Sequence, residues 1–204
     1  MIWQLPRIYT GGILCIIAIV AWYVPLFFYI LWGSIAVWIF LIEWPRLAPW
    51  YSSMLFPAPH LTLISWLYAF SQTKWLVATG IIAASLFDTG SYIMGNIGEK
   101  YYITSISPHK TWQGVLGGFV TLYSISLLWA YLDNTTPYIY TSIPVFLLGT
   151  AAFGGDLLVS WLKRRAHIKD CSNALPGHGG ILDRCDSMLW CVPMAYICYL
   201  CTLL

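Results

Sequence analysis

Charge is scarce in this chain. Lys, Arg, Asp and Glu make up 9% of its 204 residues, where a soluble domain carries about a quarter. So few charges cannot cover a water-facing surface, which excludes an ordinary soluble globular domain. No strong charge of one sign is present either: ten Lys and Arg stand against eight Asp and Glu. That balance gives no case for nucleic acid as a partner. Usual zinc-ligand spacing is also missing where it would matter. Cys171 and Cys185 lie near His167 and His178, but their spacing matches no common zinc pattern. Cys15, Cys191, Cys198 and Cys201 sit in apolar runs, where a cysteine acts as a small hydrophobe. Free thiols facing a reducing compartment are the better reading. A cleavable leader is not expected. Arg7 heads an apolar run, but a second such run follows at once, so the first is read as a retained span.

What the chain does have is apolar length. Hydrophobic residues make up 59% of it, and a spanning helix needs about 20 mainly apolar residues. Seven segments qualify, at 8–24, 26–43, 54–71, 75–95, 114–132, 138–159 and 187–204. The expected fold is all-α: a polytopic integral membrane protein of about seven transmembrane helices, forming one membrane-embedded domain over 1–204. Pro25 separates the first two segments, and Pro45 and Pro49 are expected to break the chain after the second. Pro57, Pro59 and His60 interrupt the third, which reads as a short or re-entrant helix. Asp133 to Pro137 form a turn.

Lys and Arg orient such a chain. With the N-terminus inside, the inner segments hold Arg7, Arg46, Lys100, Lys110, Lys163, Arg164, Arg165, Lys169 and Arg184; Lys74 alone falls outside. Two polar loops, 96–113 and 160–186, then share the cytoplasmic face.

Chemistry is concentrated between Ser160 and Ser187. This stretch holds five of the ten basic residues, three of the eight acidic ones, and the run Pro176-Gly177-His178-Gly179-Gly180. Asp156 lies just before it in an apolar setting, where a carboxylate is costly unless paired or bound to a cation. Asp156, Asp170, Asp183 and Asp186 invite a divalent cation, and carboxylate oxygens with substrate phosphates are the usual Mg²⁺ environment. Lys163, Arg164, Lys169 and Arg184 suit phosphate oxygens. Gly177, Gly179 and Gly180 let backbone N–H groups approach an anion. For Lys163-Arg164-Arg165 alone, a solvated loop against anionic headgroups is the simpler account. It leaves the following alternation of acids, bases and glycines unexplained.

Ser160-Trp161-Leu162-Lys163-Arg164, Lys169-Asp170, Leu175-Pro176, His178-Gly179-Gly180, Asp183-Arg184 and Asp186 resemble, in order and spacing, the signature of the phosphatidate cytidylyltransferases, or CDP-diglyceride synthases. Cys185 stands where that signature usually has an aliphatic residue or Thr. A second block is also similar to the family: Asp88-Thr89-Gly90-Ser91-Tyr92, then Gly95-Asn96, Gly98-Glu99-Lys100 and Ser107-Pro108-His109-Lys110-Thr111-Trp112-Gln113-Gly114. Gln113 replaces a frequent Glu. Gly117-Gly118, just beyond, reads as close helix packing through small residues. For Asp88 a hydrogen bond between helices is the plainer alternative. The chain is short for the family on its N-terminal side, so accessory helices that make oligomer contacts are expected to be missing.

The resemblance implies CTP and phosphatidate as substrates, membrane lipid as surroundings, and CDP-diacylglycerol and pyrophosphate as products. It implies Mg²⁺ as cofactor, with room for a second cation. Asp156 and Asp183 are the expected ligands, brought together by the fold of the polar loop, with Asp186 as a further ligand or orienting group. Lys163, Arg164, Lys169 and Arg184 are expected to hold phosphates, Asp170 pairing instead with a neighbouring base. Asp88, Ser107, Lys110, Thr111, His178, Gly179 and Gly180 are expected to line the substrates. His178 either bonds a phosphate or stabilises the glycine turn. A bacterial inner membrane and a homodimer are compatible with the family. Two rival readings stand beside it: another CTP-using lipid enzyme, of polyprenol kinase or CDP-archaeol synthase type, and a small transporter lined by Asp88 and Asp156.

Overall fold

A computed structural model describes residues 5–97, 101–103, 107, 110–133, 139–175 and 179–203. The described residues are helical almost throughout, and no strand is formed among them. Seven long helices match the seven apolar segments: α1 (Leu5–Tyr23), α2 (Pro25–Trp38), α4 (Pro57–Ala69), α5 (Lys74–Gly95), α6 (Trp112–Asp133), α7 (Ile139–Arg165) and α8 (Leu182–Leu203); α3 (Trp44–Leu47) is a short addition. Four stretches are long and apolar enough to cross a membrane: Pro25–Leu47, Lys74–Gly95, Trp112–Leu132 and Ser142–Arg165. Many large side chains on these helices face outward, Leu26, Leu41, Trp129 and Ile143 among them. Such surface is unfavourable in water and matched to lipid. The chain is therefore an integral membrane protein.

Pro45 does not end the second segment. A proline at this point clashes with the carbonyl four residues back and offers no N–H. The helix answers by widening: Ile39–Glu43 form a π turn, and the Trp44 N–H reaches back five residues to the Ile39 carbonyl. Helical structure then runs on to Leu47 and stops where Ala48, extended before Pro49, leaves the helix. In α4 both prolines fall within the first turn, where the N–H groups have no partners to lose. At 13 residues α4 is about 20 Å long, short of the roughly 30 Å hydrocarbon core. The polar loops are narrower than expected. Ser160, Lys163 and Arg164 are on α7, and Asp183, Arg184 and Asp186 begin α8. The turn expected over 133–137 lies, apart from Asp133, outside the described residues.

The chain divides into two compact units, one of Met1–Ser65 with Leu162–Cys185, the other of Trp66–Trp161 with Asp186–Leu204. In the first, Trp44 stacks on Phe56 with ring centroids 5.1 Å apart, and its indole N–H donates to Ser52 at 3.0 Å. The Trp32 indole donates to the Leu61 carbonyl, over a core that includes Ile39, Leu47 and Ile64. In the second, Ala83, Ala84 and Phe87 of α5 meet Leu122 of α6, Leu148 and Ala152 of α7, and Cys191 and Ala195 of α8. Here α5 and α6 pack closely because the facing residues lack side chains. A Cβ at Gly117 would lie 2.3 Å from Met94 Cβ, and one at Gly118 would lie 2.7 Å from the Phe87 ring. Close packing is thus the role of Gly117-Gly118.

α7 ends in a Schellman motif. Ile168 N donates to Lys163 O and His167 N to Arg164 O, with His167 in the left-handed region at φ 57°. Glycine is the residue that takes this conformation without cost. His167→Gly is expected to stabilise the protein by about 0.5 kcal/mol, read as a small rise in its thermal midpoint in detergent.

Candidate functional site

The first unit builds its polar centre around Asp183. Its Oδ1 receives Lys163 Nζ at 2.7 Å and the Cys171 thiol at 3.2 Å. Its Oδ2 receives the backbone N–H of Cys171 and of Gly180, each at 2.9 Å. The ion pair is enclosed, with 13% of the Lys163 side chain and 6% of the Asp183 side chain exposed. Burial alone would raise the Asp183 carboxyl. The Lys163 hydrogen bond, the two backbone N–H groups and the Lys163 charge outweigh it and hold the carboxyl below its usual value. The Cys171 thiol is pushed far up, first by burial and then by the Asp183 charge beside it. It is a poor thiolate and a poor metal ligand at neutral pH.

Around this pair the loop closes tightly. Leu175 and Gly179 exchange two backbone hydrogen bonds, at 2.9 and 3.1 Å. Gly179 takes φ 85°, which an L side chain resists. Pro176, Gly177 and His178 fall outside the described residues. Arg164, Lys169, Asp170 and Arg184 are exposed, so the flexible bases stand in reach of solvent while Lys163 is committed to Asp183.

A residue that the polar stretch does not advertise completes this centre. Glu43, in the π turn, is fully buried. Its carboxylate receives Trp38 Nε1 at 3.1 Å, the Ser172 hydroxyl, and the backbone N–H of Ile181 at 2.8 Å and of Leu182 at 2.6 Å. The last two donors stand at the start of α8, where a carboxylate also meets the positive end of the helix dipole. One signal could have revealed it. A lone Glu that closes an apolar run ahead of Trp-Pro is an acid near membrane depth, and such an acid needs partners.

The second unit holds the other expected residues. Lys110 Nζ lies 2.7 Å from Asp156 Oδ2 and 5.1 Å from the centre of the Phe153 ring. The ammonium is fully enclosed, and its contact with Asp156 is ionic, without the alignment of a hydrogen bond. Asp156 Oδ1 accepts from Ser160, one helical turn on, at 3.3 Å. Lys110 is placed by its backbone: Ile103 N donates to its carbonyl, and its own N–H donates to Ser107 O. Thr111 is buried and caps α6, its hydroxyl accepting Gly114 N at 3.1 Å. The Ser187 hydroxyl faces Asp88 at 3.4 Å, and Asp186 Oδ1 accepts Ser187 N at 2.8 Å. α7 meets α8 closely here. A Cβ on Gly155, next to Asp156, would lie 2.7 Å from the Asp186 carbonyl oxygen. This unit therefore holds two polar contacts, Lys110 with Asp156, and Ser187 with Asp88 and Asp186.

Both lysines sit on acids. Lys163 neutralises Asp183, and Lys110 neutralises Asp156. A lysine is a mobile point charge on a flexible stem, so neither pair is fixed as a backbone hydrogen bond would be. No group of three or more His, Cys, Asp or Glu residues placed to hold a metal occurs among the described residues. Mg²⁺ is commonly held by only one or two carboxylates, with water and phosphate filling the rest.

Comparison with known proteins bears on the chain as a whole. The phosphatidate cytidylyltransferase of Bacillus subtilis is 40% identical over 111 residues, 53% of this chain and 41% of that protein. That of Haemophilus influenzae is 37% identical over 112 residues, covering 52% and 39%. That of Rickettsia felis is 27% identical over 215 aligned positions, covering 93% and 89%. The aligned region thus spans about two fifths of the length of the first two relatives and most of the third. A sequence model described as the cytidylyltransferase family matches residues 8–202, running through both structural units; the chain belongs to the cytidylyltransferase family.

Proposed function

We propose that this chain transfers CMP from CTP to phosphatidate, forming CDP-diacylglycerol and releasing pyrophosphate. The enclosed Lys163–Asp183 pair, closed over by the glycine turn at Gly179 and Gly180, carries the reading. It is a preformed, charge-balanced centre inside the segment that resembles the cytidylyltransferase signature.

In the proposed reaction a phosphate oxygen of phosphatidate attacks the α-phosphorus of CTP. The new P–O bond forms as the bond to the bridging oxygen breaks, and pyrophosphate carries away the electron pair. A phosphate monoester is largely ionised at pH 7, so no residue need remove a proton. Catalysis then rests on positioning and on neutralising charge where two anions meet. Lys163, Arg164, Lys169 and Arg184 are assigned to phosphate oxygens, with Lys110 toward CTP or the lipid headgroup. Asp156 in one unit and Asp183 in the other would each offer Mg²⁺ a single carboxylate, with Asp186 as an orienting group and water and phosphate filling the rest; the cation when bound adds positive charge on the phosphates. Asp156 is suited to a hard cation, since its oxygens are hard donors, one third of the side chain is exposed, and its partners are one serine and one lysine. At Asp183 the replaceable partners are those on Oδ1, since Oδ2 holds two backbone amides. Acyl chains stay among the helices. The basic residues counted on the inner side favour a cytoplasmic-face centre, and the bacterial relatives favour a bacterial inner membrane.

The test uses purified protein in detergent with phosphatidate, Mg²⁺ and CTP labelled in the cytosine ring. Label is expected in the lipid, with pyrophosphate released in equal amount. A CTP-dependent kinase would leave the ring label in water. Folded protein that releases no pyrophosphate would reject the proposal.

A further inference from the structure

The proposed transfer assigns Asp183 to Mg²⁺ and Arg184 to phosphate, with Gly179 and Gly180 closing over the centre, yet none of them explains what holds their segment in place. Its two ends are fastened to one short piece of chain. At the exit, Ile181 N and Leu182 N donate to the two oxygens of Glu43. At the entrance, the Ser172 hydroxyl donates to Glu43 Oε1, and Arg46 Nη1 donates to the Cys171 carbonyl at 3.1 Å. Glu43 closes the π turn that accommodates Pro45, and Arg46 follows on α3, so one short stretch of chain carries both fasteners. Between them Gly180 is wedged. A Cβ there would lie 2.9 Å from Glu43 Oε1 and 2.9 Å from Asp183 Oδ2. One carboxylate therefore fixes the loop on one side, and the Asp183 carboxylate meets the same glycine on the other.

An ionised carboxylate only accepts, with room for about four donors. Glu43 has four, from Trp38, Ser172, Ile181 and Leu182. With these places taken it has no free oxygen for a cation, and as an acceptor it has no donor for a phosphate. We infer that Glu43 is a positioning residue for the proposed transfer: it locks both ends of the Cys171–Leu182 segment, so that the Gly180 N–H and the Asp183 carboxylate keep the orientation the reactants require. The inference rests on the proposed function for its kinetic part. It also predicts a local structural effect that is independent of any activity.

Cys171 reports that effect. It is fully buried, its N–H is held by Asp183 and its carbonyl by Arg46. Alkylation by N-ethylmaleimide, followed at the Cys171 peptide by mass spectrometry, reads whether the segment opens. Glu43→Gln retains one acceptor oxygen and turns an N–H group toward backbone donors. It is expected to speed Cys171 labelling and to lower kcat by about tenfold each, with KM for CTP changing less. Glu43→Ala, with no acceptor, is expected to do more in both readouts, so that activity falls in the order wild type, Gln, Ala. Thermal melts in detergent accompany each variant. Unchanged Cys171 labelling in both variants overturns the inference. So does unchanged kcat, or loss of the folded protein in Glu43→Gln as well as Glu43→Ala, which would assign Glu43 to overall stability. Wild-type protein that transfers no CMP, while Cys171 labelling still rises in the variants, overturns the proposed function and the kinetic role but leaves the loop lock standing.

Discussion

Asp183→Asn is expected to abolish measurable turnover while the protein still inserts and folds. The aspartate accepts from four donors, and the asparagine amide can satisfy at most those on one oxygen. Its NH₂ would face either Lys163 Nζ and the Cys171 thiol, or two backbone N–H groups. Every arrangement sets donor against donor. The substitution also strips the enclosed Lys163 ammonium of its counter-charge, a change that costs about 3–5 kcal/mol when a buried pair is broken. Lys163 can swing toward solvent along α7, so part of that cost is relieved by movement and the fold survives. What does not survive is the arrangement presented to phosphate. A kcat loss of at least about 10²–10³-fold follows, the scale seen when one preorganised group is removed from a charge-stabilising site. The measurement is pyrophosphate release by purified variant and wild type at matched folded concentration. Wild-type-like rates would remove Asp183 from the centre.

Gly180→Ala is the second large effect, and it needs only one methyl group. The new Cβ would approach Glu43 Oε1, Asp183 Oδ2 and Cys171 Cβ at 2.9, 2.9 and 3.0 Å. Carboxylate oxygens at the tip of a side chain can usually swing aside. These cannot do so cheaply, because each is held by backbone N–H groups of the same segment. Relief must come from moving the loop, which pulls Gly180 N off Asp183 Oδ2. Overpacking of this kind costs about 1–3 kcal/mol. A kcat loss of about 10–100-fold is expected with a lowered thermal midpoint. Equal kcat and midpoint in wild type and Gly180→Ala would show that the segment is looser than its hydrogen bonds imply.

The seven apolar runs gave the helices because, in lipid, a run long enough to span must satisfy its own backbone. Their ends were less legible. α7 carries its helix past the apolar part to Arg165, since nothing in Ser160-Trp161-Leu162-Lys163-Arg164 breaks it and the stop comes only at the left-handed His167. Pro45 reads as a terminator from its chemistry alone. It proved compatible with a helix once the turn before it widened. In the candidate site, Asp183 with Lys163 was visible as an acid and a base in a dense polar stretch. Lys110 with Asp156 was visible only as two separate suspects, 46 positions apart in the numbering, because sequence distance says nothing about pairing across helices. Thr111 sat in the right motif, and the structure adds a cap at α6 that its position just before the helix could have suggested. Glu43 could be suspected as a lone acid closing an apolar run, but its partners lie more than 120 residues on, and no local pattern says which segment it fastens.

The widened turn at Ile39–Glu43 makes the chain unusually sensitive to its residue count. An α-helix advances about 100° per residue, and a π turn accommodates one residue more than the regular ladder would. Add a second residue to that stretch and, with the one extra place already taken, everything beyond swings round by about that angle. Glu43 would then leave its backbone partners, and Arg46 would leave Cys171, without any change in side-chain chemistry. Substitutions at neighbouring lipid-facing positions such as Leu41 leave this phase untouched. In this helix, length carries information that composition does not.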